Sequence, residues 1–242
     1  MTWHDGPLVG FDTETTGVDV GADRIVTAAV VRRDATGTRV RTWLIDPGVP
    51  IPQAATAVHG ITTEQVRAQG RPPREALDEV AAALVATWRA GVPVVAFNAC
   101  YDLSLLDAEL RRHGLATVTQ RLGRAAGPVL DPLVLDRAEE RYRPGKRRLG
   151  DLCAVYGVET PEALHAAHVD VEATLDLLGA MVARHPHLAE LDLATLQAYQ
   201  VHAHLTWAES FNAWRDECGL PGPGAELDWP VRSVPAAAQW AV

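Results

Sequence analysis

The chain has 242 residues, 48% hydrophobic and 22% charged, which suits one sizeable α/β core, with or without an appendage, under a polar surface. No run of about 18 apolar residues occurs, and Met1-Thr2-Trp3-His4-Asp5 has neither a basic flank nor an apolar stretch, so neither a membrane span nor a secretory leader is expected. A net charge of −9 argues against a passive nucleic-acid coat but leaves room for an enzyme whose carboxylates meet phosphate through cations.

In chain order, Leu8-Val9-Gly10-Phe11 reads as a short strand. Arg24 to Arg33, rich in valine and isoleucine, and Val40 to Ile45, after a Thr36-Gly37 turn, complete an antiparallel meander. Thr62 to Gln69 and Pro73 to Arg89 are helical, the second with alanine and leucine at helical spacing. Val92 to Phe97 reads as a buried strand followed by a helix over Asp102 to His113. Val129-Leu130 is a further short strand, and Asp131-Pro132 an N-cap with proline at the first helical position. Helices over Leu149 to Tyr156, Glu162 to Arg184 and Leu188 to Cys218 follow. Pro221, Pro223 and Pro230 then break the pattern in a tail carrying Trp229 and Trp240. Three antiparallel strands followed by alternating helices and strands predict a mixed five-stranded sheet with helices on its faces. Cys100, Cys153 and Cys218 are odd in number, widely spaced and without a CxxC pair, as expected of reduced thiols in a cytoplasmic protein.

Three segments carry chemistry. In Phe11-Asp12-Thr13-Glu14-Thr15-Thr16-Gly17, Asp12 and Glu14 lie two apart, so their side chains share one face of a strand. Carboxylates that close repel unless a cation lies between them, and hard oxygen donors favour Mg²⁺ or Mn²⁺. The plain alternative is a polar strand end capped by Asp and Thr. In Asn98-Ala99-Cys100-Tyr101-Asp102 a carboxylate follows a buried strand, where α/β sheets gather ligands, although helix capping by Asn98 or Asp102 would use the same residues. In His165-Ala166-Ala167-His168-Val169-Asp170 a histidine precedes an aspartate by five residues, about 140° around an ideal helix. The two converge only if His165 stands at or before the helix start. His168 competes with it, and both histidines could be surface residues.

Together these segments resemble the DEDDh exonucleases, as do Val58-His59-Gly60-Ile61-Thr62 and the stretch from Pro144 to Gly157. The likeness runs from about Leu8 to about Met181 and is nearest the proofreading epsilon subunit of bacterial DNA polymerase III, with RNase T and oligoribonuclease as relatives. It implies an RNase H-like α/β fold, a mixed five-stranded sheet with helices on both faces, plus a C-terminal helical extension. The exonuclease domain would cover residues 1–187, and the helix and proline-containing tail 188–242. It implies metal binding by Asp12, Glu14, Asp102 and Asp170, two divalent cations (Mg²⁺ or Mn²⁺), and neutral His165 as the base that takes a proton from water. Ala166 stands where a tyrosine-type member of the family would carry its tyrosine.

Thr13 and Thr15 would support the terminal nucleotide. His59 would lie near that nucleotide or hold its own turn, and Asn98 would position the strand or cap a helix. The implied activity is 3′→5′ hydrolysis of single-stranded ends to 5′-mononucleotides, with DNA favoured. An RNA-trimming enzyme and a non-catalytic polymerase accessory protein are the alternatives. Implied partners are single-stranded DNA or RNA 3′ ends and a DNA polymerase subunit reached through the C-terminal region. Arg137, Arg141, Arg143, Lys146, Arg147 and Arg148 fall within twelve residues and either track a phosphate backbone or form a solvated run balanced by Glu139 and Glu140.

Overall fold

Side-chain alternation along the first strand sets the layering. In β1 (Leu8–Thr15), Val9 and Phe11 point to one face of the sheet, and Gly10, Asp12 and Glu14 to the other. The structure, a computed structural model, describes residues 2–160 and 166–233. β1 pairs antiparallel with β2 (Ile25–Asp34), which pairs antiparallel with β3 (Gly37–Leu44). Helices α1 (Gln53–His59), α2 (Thr63–Gln69) and α3 (Pro73–Arg89) lead to β4 (Val94–Val95), parallel to β1. Then come α4 (Ala99–Arg112), α5 (Val118–Leu122) and β5 (Val129–Leu130), parallel to β4. The order β3-β2-β1-β4-β5 is the mixed five-stranded sheet expected from the sequence. The chain continues through α6 (Pro132–Glu139), α7 (Leu149–Tyr156), α8 (Ala167–Arg184), α9 (His187–Glu190) and α10 (Leu193–Glu217).

Helices cover both faces. Val9 and Phe11 pack with Leu77 and Leu84 of α3 and Leu103 and Leu106 of α4. On the opposite face Val31, Val95 and Leu130 pack with Leu152 of α7 and Val171, Leu175 and Leu178 of α8. Burying each such leucine contributes about 1.5–3 kcal/mol, so each helix is held mainly by the stripe it turns to the sheet. Gly10 sets how closely α8 can approach. A Cβ there would lie 2.2 Å from Val171 Cγ1 and 3.4 Å from Leu175, so only glycine admits the helix at this spacing. We expect Gly10→Ala to cost about 1–3 kcal/mol and to weaken divalent-cation binding by moving Asp170, the neighbour of Val171, away from β1. A thermal melt with a Mn²⁺ titration checks both. Unchanged affinity would mean that α8 accommodates the methyl group without shifting its first turn.

The C-terminal extension completes the sheet. β5 is an edge strand, and α10 covers it: Gln197 Oε1 accepts from Val129 N (2.7 Å), while Gln200 Nε2 donates to Val129 O (2.9 Å). The tail then folds back across α4. Trp229 enters the core beside Cys100, Arg232 N donates to Ser104 Oγ (2.9 Å), and Cys100 Sγ donates to Asp228 O (3.4 Å). Trp240 lies outside the described residues. All three cysteines are free, Cys100 and Cys153 buried and Cys218 exposed. Among the described residues no helix is long and apolar enough to cross a membrane.

Several elements differ from their sequence-derived bounds. α1 and α5 are short helices that weak periodicity did not announce. Of the apolar run Val92 to Phe97, only Val94 and Val95 form ladder pairs with both neighbours. The helix expected from Leu188 is broken at Leu191, and a new one starts where Asp192 accepts from Thr195 N (2.7 Å). The start of the helix expected from Glu162 falls at residues 161–165, outside the described residues; α8 is described from Ala167.

Candidate active site

β1 continues in register with β2 past its apolar part, so Asp12 and Glu14 project from within a paired strand. Their face is the one α8 covers, and Asp170 lies in the first turn of that helix. Carboxylate oxygens of Asp12, Glu14 and Asp170 lie within 4.8 Å of one another, and all three side chains are half-buried. Asp102 comes from the opposite layer, in the first turn of α4, and is buried. Its Oδ1 accepts from Thr13 N (3.1 Å) and Thr13 Oγ1 (2.5 Å), so the residue between Asp12 and Glu14 fixes the fourth carboxylate from the other side of the strand.

The charges of Asp102 and Asp170 oppose the ionisation of Asp12 and Glu14. Burial first, then the charges of Asp102, Glu14 and Asp170, push Asp12 well above the usual carboxylate range. Burial and the charges of Asp170 and Asp102 raise Glu14 to about 8. Burial raises Asp102 to about 7 against the two Thr13 hydrogen bonds that favour its charged form. Among the described residues no arginine, lysine or histidine forms a salt bridge with Asp12, Glu14 or Asp102. The arrangement has the donor chemistry for a hard divalent cation, since oxygen ligands at this spacing would be relieved of their repulsion by one.

Beside the cluster opens a cleft of about 230 Å³, lined by Glu14, Thr42, Leu44, His59, Ile61 and His168 among others. His59 ends α1, and its Nδ1 accepts from Ile61 N (3.1 Å), so the ring both holds its turn and borders the cleft. His168 is exposed on the first turn of α8. His165 lies outside the described residues. The side chain of Thr13 is committed to Asp102, and that of Thr15 to Gly17 O (2.7 Å) and Tyr101 Oη (3.0 Å). Tyr101, which also donates to Gly17 O, pins the loop after β1 to α4; nothing in its spacing singled it out.

Asn98 is the one non-glycine residue with positive φ among the described residues (φ 60°, ψ 43°), and its side chain caps nothing. The capping falls instead to Asp131, whose carboxylate accepts from Asn98 N (3.0 Å), Ala99 N (2.9 Å), Leu133 N (3.0 Å) and Trp229 Nε1 (3.4 Å). One buried acid thus starts both α4 and α6 and anchors the tail, which positions the turn that carries Asp102. The basic run divides. Arg143 and Arg147 both pair with the buried Asp136, whereas Arg137 and Arg141 do not.

Residues 9–178 match the RNase T family model, described as exonuclease. The chain is 32% identical over 181 residues to a PolC-type DNA polymerase III of Streptococcus agalactiae, a match covering 74% of this chain and 11% of that protein. It is 38% identical over 194 residues to a DNA polymerase III subunit epsilon-like protein of Rhodobacter capsulatus, covering 73% and 24%. The chain therefore spans only about a tenth to a quarter of the length of these curated relatives. In fold it is similar to E. coli exonuclease I in a complex with single-stranded DNA (TM-score 0.66, 20% identity, 76% of this chain and 42% of that one). It is also similar to exonuclease I of Methylocaldum szegediense (TM-score 0.65, 22% identity, 81% and 45%).

Proposed function

We propose, for a chain that belongs to the RNase T (DEDDh) family of 3′→5′ exonucleases, that it removes nucleotides from the 3′ ends of single strands, DNA in preference to RNA, as 5′-mononucleotides. The observation that carries this reading is the convergence of Asp12, Glu14 and Asp170 oxygens within 4.8 Å, with Asp102 buried against the same strand. Two divalent cations held there, Mg²⁺ or Mn²⁺, would activate the attacking water and neutralise charge on the leaving 3′ oxygen. Asp12, Glu14, Asp102 and Asp170 would hold the cations, and Thr13 keeps Asp102 in place. The cleft bordered by His59 and Ile61 receives the terminal nucleoside, a task for which its volume supports one unit and its Leu44 and Ile61 flank supplies apolar contact.

The proton from the attacking water goes to His165, which the sequence places five residues before Asp170. Imidazole suits this task because its unperturbed pKa, about 6.5, lies near working pH. His165→Ala is expected to lower turnover by about a hundredfold or more and to leave Mn²⁺ affinity unchanged. Wild-type turnover would move the base elsewhere, with His168 beside the cleft the next to substitute. The preference for DNA is supported by the polymerase relatives and by the exonuclease I fold. Digestion of DNA and RNA oligomers of one sequence with Mg²⁺, followed by identification of the products, tests it. Faster release from RNA would reverse the preference, and no metal-dependent release from either would remove the activity.

A further inference from the structure

A second cleft, of about 280 Å³, lies between α6 and α10 and shares no lining residue with the acidic one. Arg137, Arg141 and Arg147 line it together with His202, Trp207 and Ser210, and among the described residues none of its lining side chains is acidic. In a chain of net charge −9 this is a local reversal of sign. The three arginines differ in what they do. Arg147 is consumed by Asp136 and by backbone carbonyls. Arg137 is held face-on over the Trp207 ring, 3.5 Å from its centroid, and makes no hydrogen bond or salt bridge among the described residues. Its guanidinium is therefore fixed in direction, partly stripped of water and still carries its donors. Arg141, exposed at the rim, pairs with no carboxylate among the described residues.

Next to these cations the surface of α10 carries an aromatic row. Trp207 stacks on Phe211 (5.3 Å, 17° between planes), Phe211 leans on Trp214 (5.8 Å), and Trp214 is 50% exposed. Fixed guanidinium donors beside a partly open aromatic row fit a ligand of alternating phosphates and flat rings. We propose that the α6–α10 cleft binds the phosphodiester backbone of a single-stranded nucleic acid, with Trp214 stacking a base, at a site separate from the carboxylate cluster. The identity of this occupant rests on the nuclease reading above. α10 lies beyond residues 9–178, so the aromatic side of the site comes from the extension, while its arginines come from the matched part of the chain.

The test is fluorescence anisotropy of a labelled oligothymidylate in EDTA, over a range of salt concentrations, with the full chain. Arg141→Glu changes an exposed side chain and should weaken binding about tenfold, flattening the logarithmic salt slope by about 0.7 for each phosphate no longer neutralised, and His202→Glu, which adds a negative charge at the exposed rim, should weaken binding as well. Trp214→Ala should weaken binding and leave the slope unchanged, because stacking releases no counterion. Unchanged affinity in both charge variants overturns the proposal, as does their selective loss of a polyglutamate peptide, which would make the cleft a seat for an acidic protein segment. Hydrolysis of thymidine 5′-(p-nitrophenyl phosphate) with Mn²⁺ separates the two readings, since so short a substrate occupies the acidic cleft alone. Arg141→Glu should hydrolyse it like wild type, and loss of that hydrolysis would place Arg141 in the acidic cleft and overturn the proposal. An inactive wild type would count against the nuclease while the anisotropy result still decides the cleft.

Discussion

Asp12→Asn is expected to lower metal-dependent nuclease turnover by about a thousandfold or more while raising the stability of the metal-free protein. The two effects share one cause. Asp12 stands among three other carboxylates, and burial together with their charges already disfavours its ionised form. Asparagine keeps the shape and removes the charge, so the metal-free cluster repels less and the fold gains about 1–3 kcal/mol. The same change removes a ligand from the group of oxygens within 4.8 Å. Losing about 4 kcal/mol of the stabilisation that cations supply to the reacting phosphate corresponds to about a thousandfold in rate. Melting curves in EDTA and single-turnover rates with Mg²⁺ check the pair. A variant that is inactive and also less stable without metal would show that Asp12 serves the fold, with its charge already compensated.

The second large effect is a pH dependence of opposite sign with and without metal. Glu14 is raised to about 8 and Asp102 to about 7, both above their values in an unfolded chain. Well below the unfolded values of 3.8 for Asp102 and 4.5 for Glu14, both groups are protonated in the folded and the unfolded chain and this part of the stability is fully present. As pH rises the unfolded chain ionises first and the folded cluster keeps its protons. The folded state then binds more protons than the unfolded one, and stability falls until about pH 8. Because the carboxylates titrate as a unit their shifts do not add, and about 2–4 kcal/mol is the expected loss across the window.

Acids held down by partners act elsewhere on the pH scale. Glu79, kept near about 2 by hydrogen bonds from Arg71 and Trp43, loses its contribution only as pH falls below about 4.5. Cation binding requires the ionised cluster, so Mn²⁺ affinity rises through the same window and binding releases protons. Metal should therefore raise the melting temperature strongly at pH 8 and hardly at pH 5. A metal-free melting temperature that is flat from pH 4 to pH 8, or equal in slope to that of Asp12→Asn, would contradict the electrostatic picture.

What the sequence made legible was local. The spacing of Asp12 and Glu14 places them on one face because strand geometry repeats every two residues. A strand ending at Phe97 before a helix puts Asp102 where ligands collect. That these segments meet Asp170 was implied by the resemblance and by no periodicity. The close approach that brings Asp170 in depends on Gly10, whose need to be glycine arises from a helix more than 150 residues away in sequence. Asp131 is legible as the cap of α6, but its bonds to Asn98, Ala99 and Trp229 require the folded neighbours. The basic run could not be divided from sequence, because Asp136 claims Arg143 and Arg147 only once it is buried. The bond between α10 and the edge of β5 was equally hidden, since glutamines at 197 and 200 look like surface residues until the strand edge they complete is known.

Anomalous diffraction from crystals grown with Mn²⁺ measures the central claim most directly. The account predicts density for cations enclosed by the oxygens of Asp12, Glu14 and Asp170, with Asp102 at the margin. Mn²⁺ found only elsewhere on the protein, with these carboxylates still protonated and empty between them at pH 8, would contradict it.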